Sequence, residues 1–314
     1  MRNEFHLDFT PEKFWANFES QIDSFDDLVS AINEIMRLAK SHRTRYVWRG
    51  QANAKWPLYS SLYRRVCLTE GKRVDEDQLV GIETDILAEL HRWGLHSPQN
   101  VGRLSILRQL AILQHYGSPT RLIDVTFNAF VAAWFACEEK WQNGAVDEAN
   151  ESADARLFAI DISNRLINEN KNYRDWEDNF SRPWKNGSVK GWSNSVFAWK
   201  PSHLDSRIFA QNGAFLFGGV PTSQPQVPKE PVAGSNAWKV DEVRQACSVS
   251  LRPHKFNALK GGATNGAVFS FRISGKTKAK IREQLRMMFG YTHSTIYPDF
   301  TGFSQFGYPK LKNY

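Results

Sequence analysis

The sequence predicts an α+β fold in which N-terminal helices pack on a small split or mixed sheet. Apolar residues at helical spacing dominate the first part of the chain, whereas short β-branched and aromatic segments are concentrated later. The two patterns do not alternate regularly, which favours segregated helices and strands over a doubly wound parallel sheet.

Capping residues indicate where the first helices begin. Thr10 and Pro11 form an N-cap and a first-turn proline, which predict a short helix ending near Phe18. Ser24, with Asp27 three residues later, is typical of a capping box and opens a second helix. Further helices are predicted where apolar residues recur every three or four positions, at 79–93, 104–116, 127–140 and 276–289.

Strands are predicted where bulky residues run together between glycines or turn residues. The candidates are 46–50, 119–125 (a strand or an extended turn), 156–160, 207–217 and 268–273. The segment 156–160 is apolar almost throughout and is predicted to be central. Residues 142–155 are small and acidic, which indicates a surface loop.

The chain of 314 residues is long enough for one large domain or two ordinary ones. We predict one main domain at 45–314, preceded by a helical extension at 1–44. The segment around 165–205 is polar but rich in tryptophan, which indicates an irregular, packed insertion. Residues 221–235 contain four prolines and are predicted to form a loop, because proline is excluded from sheet interiors.

Composition excludes several classes of protein. With 41% hydrophobic and 23% charged residues, the chain can bury a core and is not predicted to be disordered. Its three cysteines are far apart, which favours a reducing compartment over a disulfide scaffold. No secretory signal and no apolar run of membrane-spanning length is found, so we expect a soluble, cytoplasmic protein without a membrane partner.

The net charge of +7 is concentrated in two segments. Residues 37–69 contain eight basic side chains and no acidic one, and residues 252–314 contain eleven basic and two acidic side chains. If the fold brings these segments together, they form a positive face that attracts phosphates or nucleic acid. An ordinary solvated surface explains the charges equally well.

The sequence lacks several familiar catalytic motifs. It has no glycine-rich dinucleotide loop, no Walker loop and no serine-hydrolase elbow. The histidines and cysteines show no zinc-binding spacing, so no metal site is predicted. The corresponding enzyme classes are therefore disfavoured.

Trp48-Arg49-Gly50-Gln51 closes the first predicted strand. Alternation places Arg49 on the face of Val47 and opposite Trp48. An arginine followed by glycine at a strand end allows the guanidinium and the backbone to approach an anion together. The alternative is that Arg49 pairs with a structural carboxylate.

A second motif runs from Gln114 to Thr126 and continues into an apolar helix. Arg121 and Asp124 lie where secondary-structure elements end, a position suited to lining a cleft, and the helix N-terminus favours a phosphate. The alternative is capping by Thr126 or Asn128, with Asp124 pairing an arginine.

Two later segments complete the pattern. Gln211 and Gly213 are predicted to share one strand face with aromatic neighbours, where Gln211 faces a pocket or bonds a backbone group. Ser294–Gly302 is predicted to be extended and to end in a turn set by Pro298, with Asp299 bonding the backbone.

These four segments, in this order, resemble the FRG domain, a family named for an aromatic-Arg-Gly triplet. The triplet here is Trp48-Arg49-Gly50, and the longest signature corresponds to 113–124 with 128–132. The later blocks correspond to 207–213 and 296–299. The resemblance spans about 46–303, with tryptophan in place of the phenylalanine of the family name.

A weaker similarity links the pattern to ADP-ribosyltransferases. An early aromatic-Arg-Gly strand followed by a threonine-bearing strand and an alanine-rich helix looks like that group, in which the arginine anchors NAD and a third strand supplies a glutamate. By order, the third strand is 207–217, which offers Gln211 and no glutamate. This departure shifts the acid to Asp124 or Asp299, or implies a nucleotide sensor without catalysis.

These resemblances imply an ADP-ribosyltransferase-like or NAD-cleaving enzyme that uses NAD as substrate and acts as a bacterial toxin or antiphage effector. The expected catalytic residues are Arg49, Asp124 and Gln211. The expected nucleotide-binding residues are Arg49, Gly50, Gln51, Tyr116, Thr120, Arg121, Thr126 and Arg207. The alternative function is a non-enzymatic nucleic-acid or nucleotide-binding module, with basic and aromatic side chains forming a stacking surface.

Overall fold

The computed structural model describes residues 11–97, 102–142, 145–178, 182–184, 192–202, 205–222, 238–256 and 267–307. Its helices and strands up to residue 161 are α1 (Pro11–Trp15), β1 (Glu19–Ile22), α2 (Phe25–His42), β2 (Tyr46–Gln51), α3 (Ser61–Glu70), α4 (Glu76–Arg92), α5 (Ile106–His115), β3 (Ile123–Thr126), α6 (Ala129–Cys137), β4 (Trp141–Gln142), β5 (Ala145–Val146), α7 (Glu148–Ser152) and β6 (Ala155–Asp161).

The second part of the chain adds further strands and short helices. These are α8 (Asp175–Asp178), β7 (Phe197–Trp199), α9 (Ser206–Ala210), β8 (Gly213–Phe217), α10 (Val240–Ala246), β9 (Arg252–Pro253), β10 (Ala267–Ile273), α11 (Lys278–Phe289), α12 (His293–Ile296) and α13 (Phe300–Phe306). A short 3₁₀ turn, Gly275–Thr277, leads into α11.

Eight of the described strands form a mixed sheet in the order β1-β10-β6-β2-β3-β8-β7, with β9 alongside β10, and β4 pairs with β5 in a separate two-stranded sheet. The β1–β10 and β9–β10 pairs are parallel, and the other pairs are antiparallel. This mixed sheet with separate helices confirms the α+β prediction. The sheet is larger than predicted because β1, β7 and β9 join the five predicted strands.

Side chains of β2 alternate between two cores, as predicted. Tyr46 and Trp48 pack in the core that contains α6, whereas Val47 packs in the opposite core with Phe158 of β6. All seven residues of β6 are buried, which agrees with its predicted central position. Arg49 therefore leaves the sheet on the side of Val47, near the end of β2.

The predicted strand 207–217 is wrong in its first half. Asp205 caps a short helix, α9, by accepting a hydrogen bond from the backbone N–H of Ile208 at 2.8 Å. Asn212 then has a φ of 46°, which turns the chain into β8. Phe209 consequently lies on the helix and is 89% exposed instead of facing the same side as Phe215.

The predicted extended segment 294–302 is also wrong, because its ends are helical. Residues 293–296 form α12, and Asp299 is the N-cap of α13. The predicted bond from Asp299 to the backbone is present, since its Oδ1 accepts from the N–H of Gly302 at 2.6 Å. The predicted surface loop 142–155 contains α7 and β5.

The tryptophan-rich insertion is packed as predicted, and its buried rings are Trp176, Trp184, Trp192 and Trp199. Parts of three predicted segments lie outside the described residues: 1–10 of the extension, 179–181, 185–191 and 203–204 of the insertion, and most of the proline-rich loop. Among the described residues, no helix combines the length and apolar character needed to cross a membrane.

Candidate functional site

Segments that are distant in sequence meet at one cleft of about 530 Å³. The cleft lies where the end of β2 meets β3, α5, α9 and α12. Its polar lining includes Arg49, Gln51, Arg64, Gln114, His115, Asp124, Thr126, Glu138, Lys140, Asp205, Arg207, Gln211 and Tyr297. All four motifs predicted from the sequence therefore contribute to one site.

Arg49 is held in the cleft by a single protein acceptor. Its Nη1 donates to the backbone carbonyl of Asp124 at 2.5 Å. Its Nε is buried and has no hydrogen-bond partner among the described residues. Burial lowers the pKa of Arg49; the carboxylate of Asp124 opposes this shift, and the nearby charge of Arg64 adds to it. The described residues thus supply one acceptor for the five N–H donors of the guanidinium.

Gly50 is required by helix packing. A Cβ at this position would lie 1.9 Å from the carbonyl oxygen of Ala132 and 2.5 Å from the backbone nitrogen of Ala136. The glycine therefore lets α6 approach β2 at van der Waals distance, and the small residues of α6 serve the same packing. The packing of Gly50 against α6 also fixes the position of the neighbouring Arg49. The glycine of the triplet is therefore explained without a bound anion.

Gln51 organises the segment that follows β2. Its side chain is buried, and its Nε2 donates to the carbonyl of Pro57 at 3.0 Å. Its Oε1 has no hydrogen-bond donor among the described residues. This bond holds Trp56, which is 39% exposed, on the wall of the cleft.

Asp124 presents an exposed carboxylate to the cleft. Its Oδ1 accepts a hydrogen bond from Nε2 of Gln114 at 2.6 Å. The amide oxygen of Gln114 in turn accepts from the hydroxyl of Thr120, which fixes the orientation of the amide. The second carboxylate oxygen of Asp124 accepts no hydrogen bond from the described residues.

Thr126 and Gln211 connect the floor of the cleft to its far wall. The hydroxyl of Thr126 donates to the carbonyl of Gln211 at 2.6 Å and accepts from the N–H of Asn128 at 2.9 Å. The Nε2 of Gln211 donates to the carbonyl of Ile296 at 3.0 Å. The donor of the Gln211 amide is thus engaged in holding α12 against α9.

Arg207 lines the cleft with its guanidinium occupied. Its Nε and Nη2 each donate to a carboxylate oxygen of Asp299 at 2.7 Å. The hydrogen bonds from Arg207 lower the pKa of Asp299 below its usual value. The same guanidinium lies 5.0 Å from the ring centroid of Tyr297, so it joins α9, α12 and α13.

The N-terminus of α6 is capped by protein. The Oδ1 of Asn128 accepts from the N–H groups of Phe130 at 3.0 Å and Val131 at 3.3 Å. This is the capping alternative, with Asn128 as the N-cap. The structure therefore does not leave the first N–H groups of α6 for a phosphate.

The family comparison matches residues 44–144 to the model of the FRG domain. The chain contains an FRG domain. The match covers about a third of the chain and includes β2, β3, α6 and the first two predicted motifs. The comparisons matched no curated protein and no solved structure.

The cleft extends beyond the matched FRG residues. Arg49, Asp124 and Glu138 lie inside the match, whereas Arg207 and Tyr297 come from later in the chain. The FRG domain supplies the floor of the cleft, and α9 and α12 complete its wall.

Three of the predicted nucleotide-binding residues do not line the cleft. Tyr116 is 81% exposed, whereas Thr120 is buried and acts through Gln114. Arg121 is buried and donates to Glu83 at 2.7 Å and to Glu76 at 3.0 Å. Arg121 lies three residues before Asp124 and outside β3, so its nearness in sequence does not bring it into the cleft.

Glu138 is a cleft residue that the sequence did not single out. It is buried at the end of α6, where Oε1 accepts from the hydroxyl of Tyr297 at 2.9 Å and Oε2 pairs with Lys140. Burial and the neighbouring charge of Glu138 raise the pKa of Tyr297. A glutamate directly after an apolar helix was the only sequence signal for this buried carboxylate.

His115 and Asp205 were also missed as site residues. The Nδ1 of His115 lies 3.3 Å from Oδ2 of Asp205, and both side chains line the cleft. The described residues hold no group of three or more His, Cys, Asp or Glu side chains placed to bind a metal ion. The site therefore offers guanidinium, carboxylate, imidazole and aromatic groups.

Proposed function

We propose that the cleft binds NAD and that the protein cleaves the bond between nicotinamide and ribose, with water or a second molecule accepting the ADP-ribose. The observation that carries this proposal is the state of Arg49, which lines the cleft beside the exposed carboxylate of Asp124 with one backbone acceptor and a buried Nε that lacks a partner among the described residues. A guanidinium with open donors suits a phosphate.

The carboxylate of Asp124 is suited to stabilise the positive charge that develops on the ribose during the reaction. Departure of nicotinamide leaves positive charge on the ribose, as in glycoside cleavage, and a nearby carboxylate stabilises that charge. The Oδ1 of Asp124 is oriented by Gln114, and its second oxygen is open to a ligand. We assign this role to Asp124 over Gln211, because the amide of Gln211 donates to Ile296.

A second cation and three aromatic rings fit the remainder of the ligand. Arg64 is exposed on the cleft wall, and its charge acts on Arg49, so the two guanidinium groups suit a diphosphate. Trp56, Phe135 and Tyr297 also line the cleft, and flat rings of this kind stack on nicotinamide or adenine.

The order of the strands supports an ADP-ribosyltransferase-like arrangement as part of this proposal. β2, β3 and β8 are neighbours in the sheet and carry Arg49, Thr126 and the segment after Gln211. In the cell, removal of NAD would make such an enzyme suitable as a toxin or antiphage effector.

The test is incubation of the purified protein with NAD, with and without cell extract as a source of acceptors. Free nicotinamide is followed by mass spectrometry for the wild type, Arg49→Ala and Arg286→Ala. Arg286 is an exposed arginine that pairs with Glu283 on the same helix and serves as the matched control. We expect release by the wild type and the control, and at least about a hundredfold less by Arg49→Ala.

No release in any mixture would overturn the proposal, as would equal release by Arg49→Ala. The nucleic-acid alternative predicts affinity for single-stranded DNA or RNA that falls steeply with salt. Two of the basic residues on which it depends are already paired with carboxylates: Arg272 with Glu12, Glu19 and Asp154, and Arg282 with Glu139 and Glu151.

A further inference from the structure

We propose that His115 is the general base of this reaction and that Asp205 positions its imidazole. The inference rests on the proposed function and assigns the activation of the nucleophile. His115 ends α5, and Asp205 immediately precedes α9, so two separate elements bring the pair together on the cleft wall. The Nδ1 of His115 lies 3.3 Å from Oδ2 of Asp205.

The two carboxylate oxygens of Asp205 have different neighbours: one caps α9, and the other lies beside His115. Oδ1 caps α9 by accepting from the N–H of Ile208 at 2.8 Å. Oδ2 is buried and lacks a well-aligned hydrogen-bond donor among the described residues, although Nδ1 of His115 is within ion-pair distance. A small rotation of the imidazole provides that donor, and catalytic hydrogen bonds commonly tighten only when substrate binds.

This contact selects the tautomer that a general base needs. With the Nδ1 proton directed to Asp205, Nε2 of His115 carries the lone pair that accepts a proton. The side chain of His115 is 24% exposed, and its ring meets Tyr116 edge to face at 5.1 Å. The imidazole is thus supported on one side and open to the cleft.

The other titratable groups of the cleft are engaged differently. Both oxygens of Glu138 are bound, one by Tyr297 and one by Lys140. Asp124 is assigned to the ribose cation. The charged groups that share the surroundings of His115 are Asp205 and Arg207 on or beside α9, Asp299 before α13, Asp124 on β3 and Arg49 on β2.

The proposed step balances with water as the nucleophile. The bond between ribose C1′ and the pyridinium nitrogen breaks, and its electron pair leaves with nicotinamide, which becomes neutral. A water oxygen forms the new bond to C1′, and the water proton passes to Nε2 of His115. The products are ADP-ribose, nicotinamide and a proton, which His115 later releases to solvent. A hydroxyl acceptor would lose its proton in the same way.

The test compares His115→Gln and Asp205→Asn with wild type over a range of pH. Glutamine removes the base while retaining a polar side chain, and asparagine retains the oxygen that caps α9. His91→Gln is the matched control, because His91 stacks on His96 at the end of α4, outside the cleft. Thermal unfolding verifies that each variant is folded. NAD is the substrate in each assay, and the ADP-ribose formed is measured.

We expect His115→Gln to lower kcat about a hundredfold and to remove the acidic limb of the pH–rate profile. Asp205→Asn should lower kcat about tenfold with little change in KM, because the imidazole loses the carboxylate that fixes its tautomer. Added imidazole should restore part of the rate to His115→Ala.

Two outcomes overturn the inference in different ways. Wild-type cleavage with an unchanged rate and pH profile in His115→Gln would remove His115 from the mechanism while leaving the proposed function in place. Absence of NAD cleavage by the wild type would overturn the proposed function and, with it, this role of His115.

Discussion

Arg49 donates its hydrogen bond to the backbone carbonyl of Asp124 and not to the carboxylate of that residue. The carboxylate accepts instead from Gln114. Because the main chain holds the guanidinium, the side chain of Asp124 can be altered without releasing Arg49. Binding by the arginine and stabilisation by the carboxylate can therefore be tested separately.

Asp124→Asn should lower kcat for NAD cleavage about a hundredfold with little change in KM, because the amide removes the negative charge but keeps the shape and the backbone carbonyl. Steady-state kinetics with nicotinamide release as the signal measure this split. A rise in KM with an unchanged kcat would show that Asp124 acts in binding alone.

Arg49→Lys should raise KM for NAD at least about tenfold, because an ammonium group cannot reproduce the planar fork of a guanidinium. Because lysine retains the positive charge, a loss of affinity of this size would show that the geometry of the guanidinium matters in addition to its charge. Isothermal titration with NAD measures the affinity directly. Affinity equal to that of the wild type would contradict the proposed contact.

Gly50→Ala should destabilise the protein by about 3 kcal/mol, because the new methyl group meets the backbone of α6 at 1.9 Å. Gly81→Ala on α4 is the control, since no atom lies within 4 Å of its added Cβ, and alanine should stabilise that helix by about 1 kcal/mol. Urea unfolding compares the two variants. Equal stability of Gly50→Ala and wild type would refute the packing role.

Glu83→Gln should change how stability depends on pH. Burial raises the pKa of Glu83 to about 7, against the attraction of Arg121. A raised carboxyl pKa gives a contribution that is complete below about pH 4.5 and is lost as the pH rises through about 7. Relative to Glu83→Gln, the wild type should therefore lose stability across this window.

Urea unfolding of both proteins at pH 5 and pH 8 measures this difference. The comparison cancels the titration of groups that the two proteins share. The prediction fails if the difference in the free energy of unfolding is the same at both pH values.

The sequence predicted the floor of the site better than its walls. The alternation of β2 correctly separates Val47 from Trp48, because a strand with two buried faces has period-two packing. The sequence motif included Gly50 but did not show why a glycine is required there, because the contact with Ala132 joins elements far apart in sequence. Sequence patterns report local periodicity and give little information on which helix covers a strand.

The region around Gln211 shows a second limit. Its aromatic residues suggested a strand, but Asp205 caps a helix, and Asn212 adopts a left-handed turn. Glu138 was not singled out from the sequence, because its hydrogen bonds with Tyr297 and Lys140 become visible only in three dimensions. Local capping and a turn therefore decided the first position, whereas a tertiary contact decided the second.

The spread of the cleft along the chain has a consequence for protein synthesis. The central strand β6 needs β10 as one neighbour, and the cleft wall needs Tyr297, so both depend on segments that are translated well after β2 and β3. A nascent chain shorter than 297 residues lacks the side chain that holds Glu138 and supports Arg207. A complete cleft can therefore form only after residue 297 has been translated, which delays any activity of the site until that point.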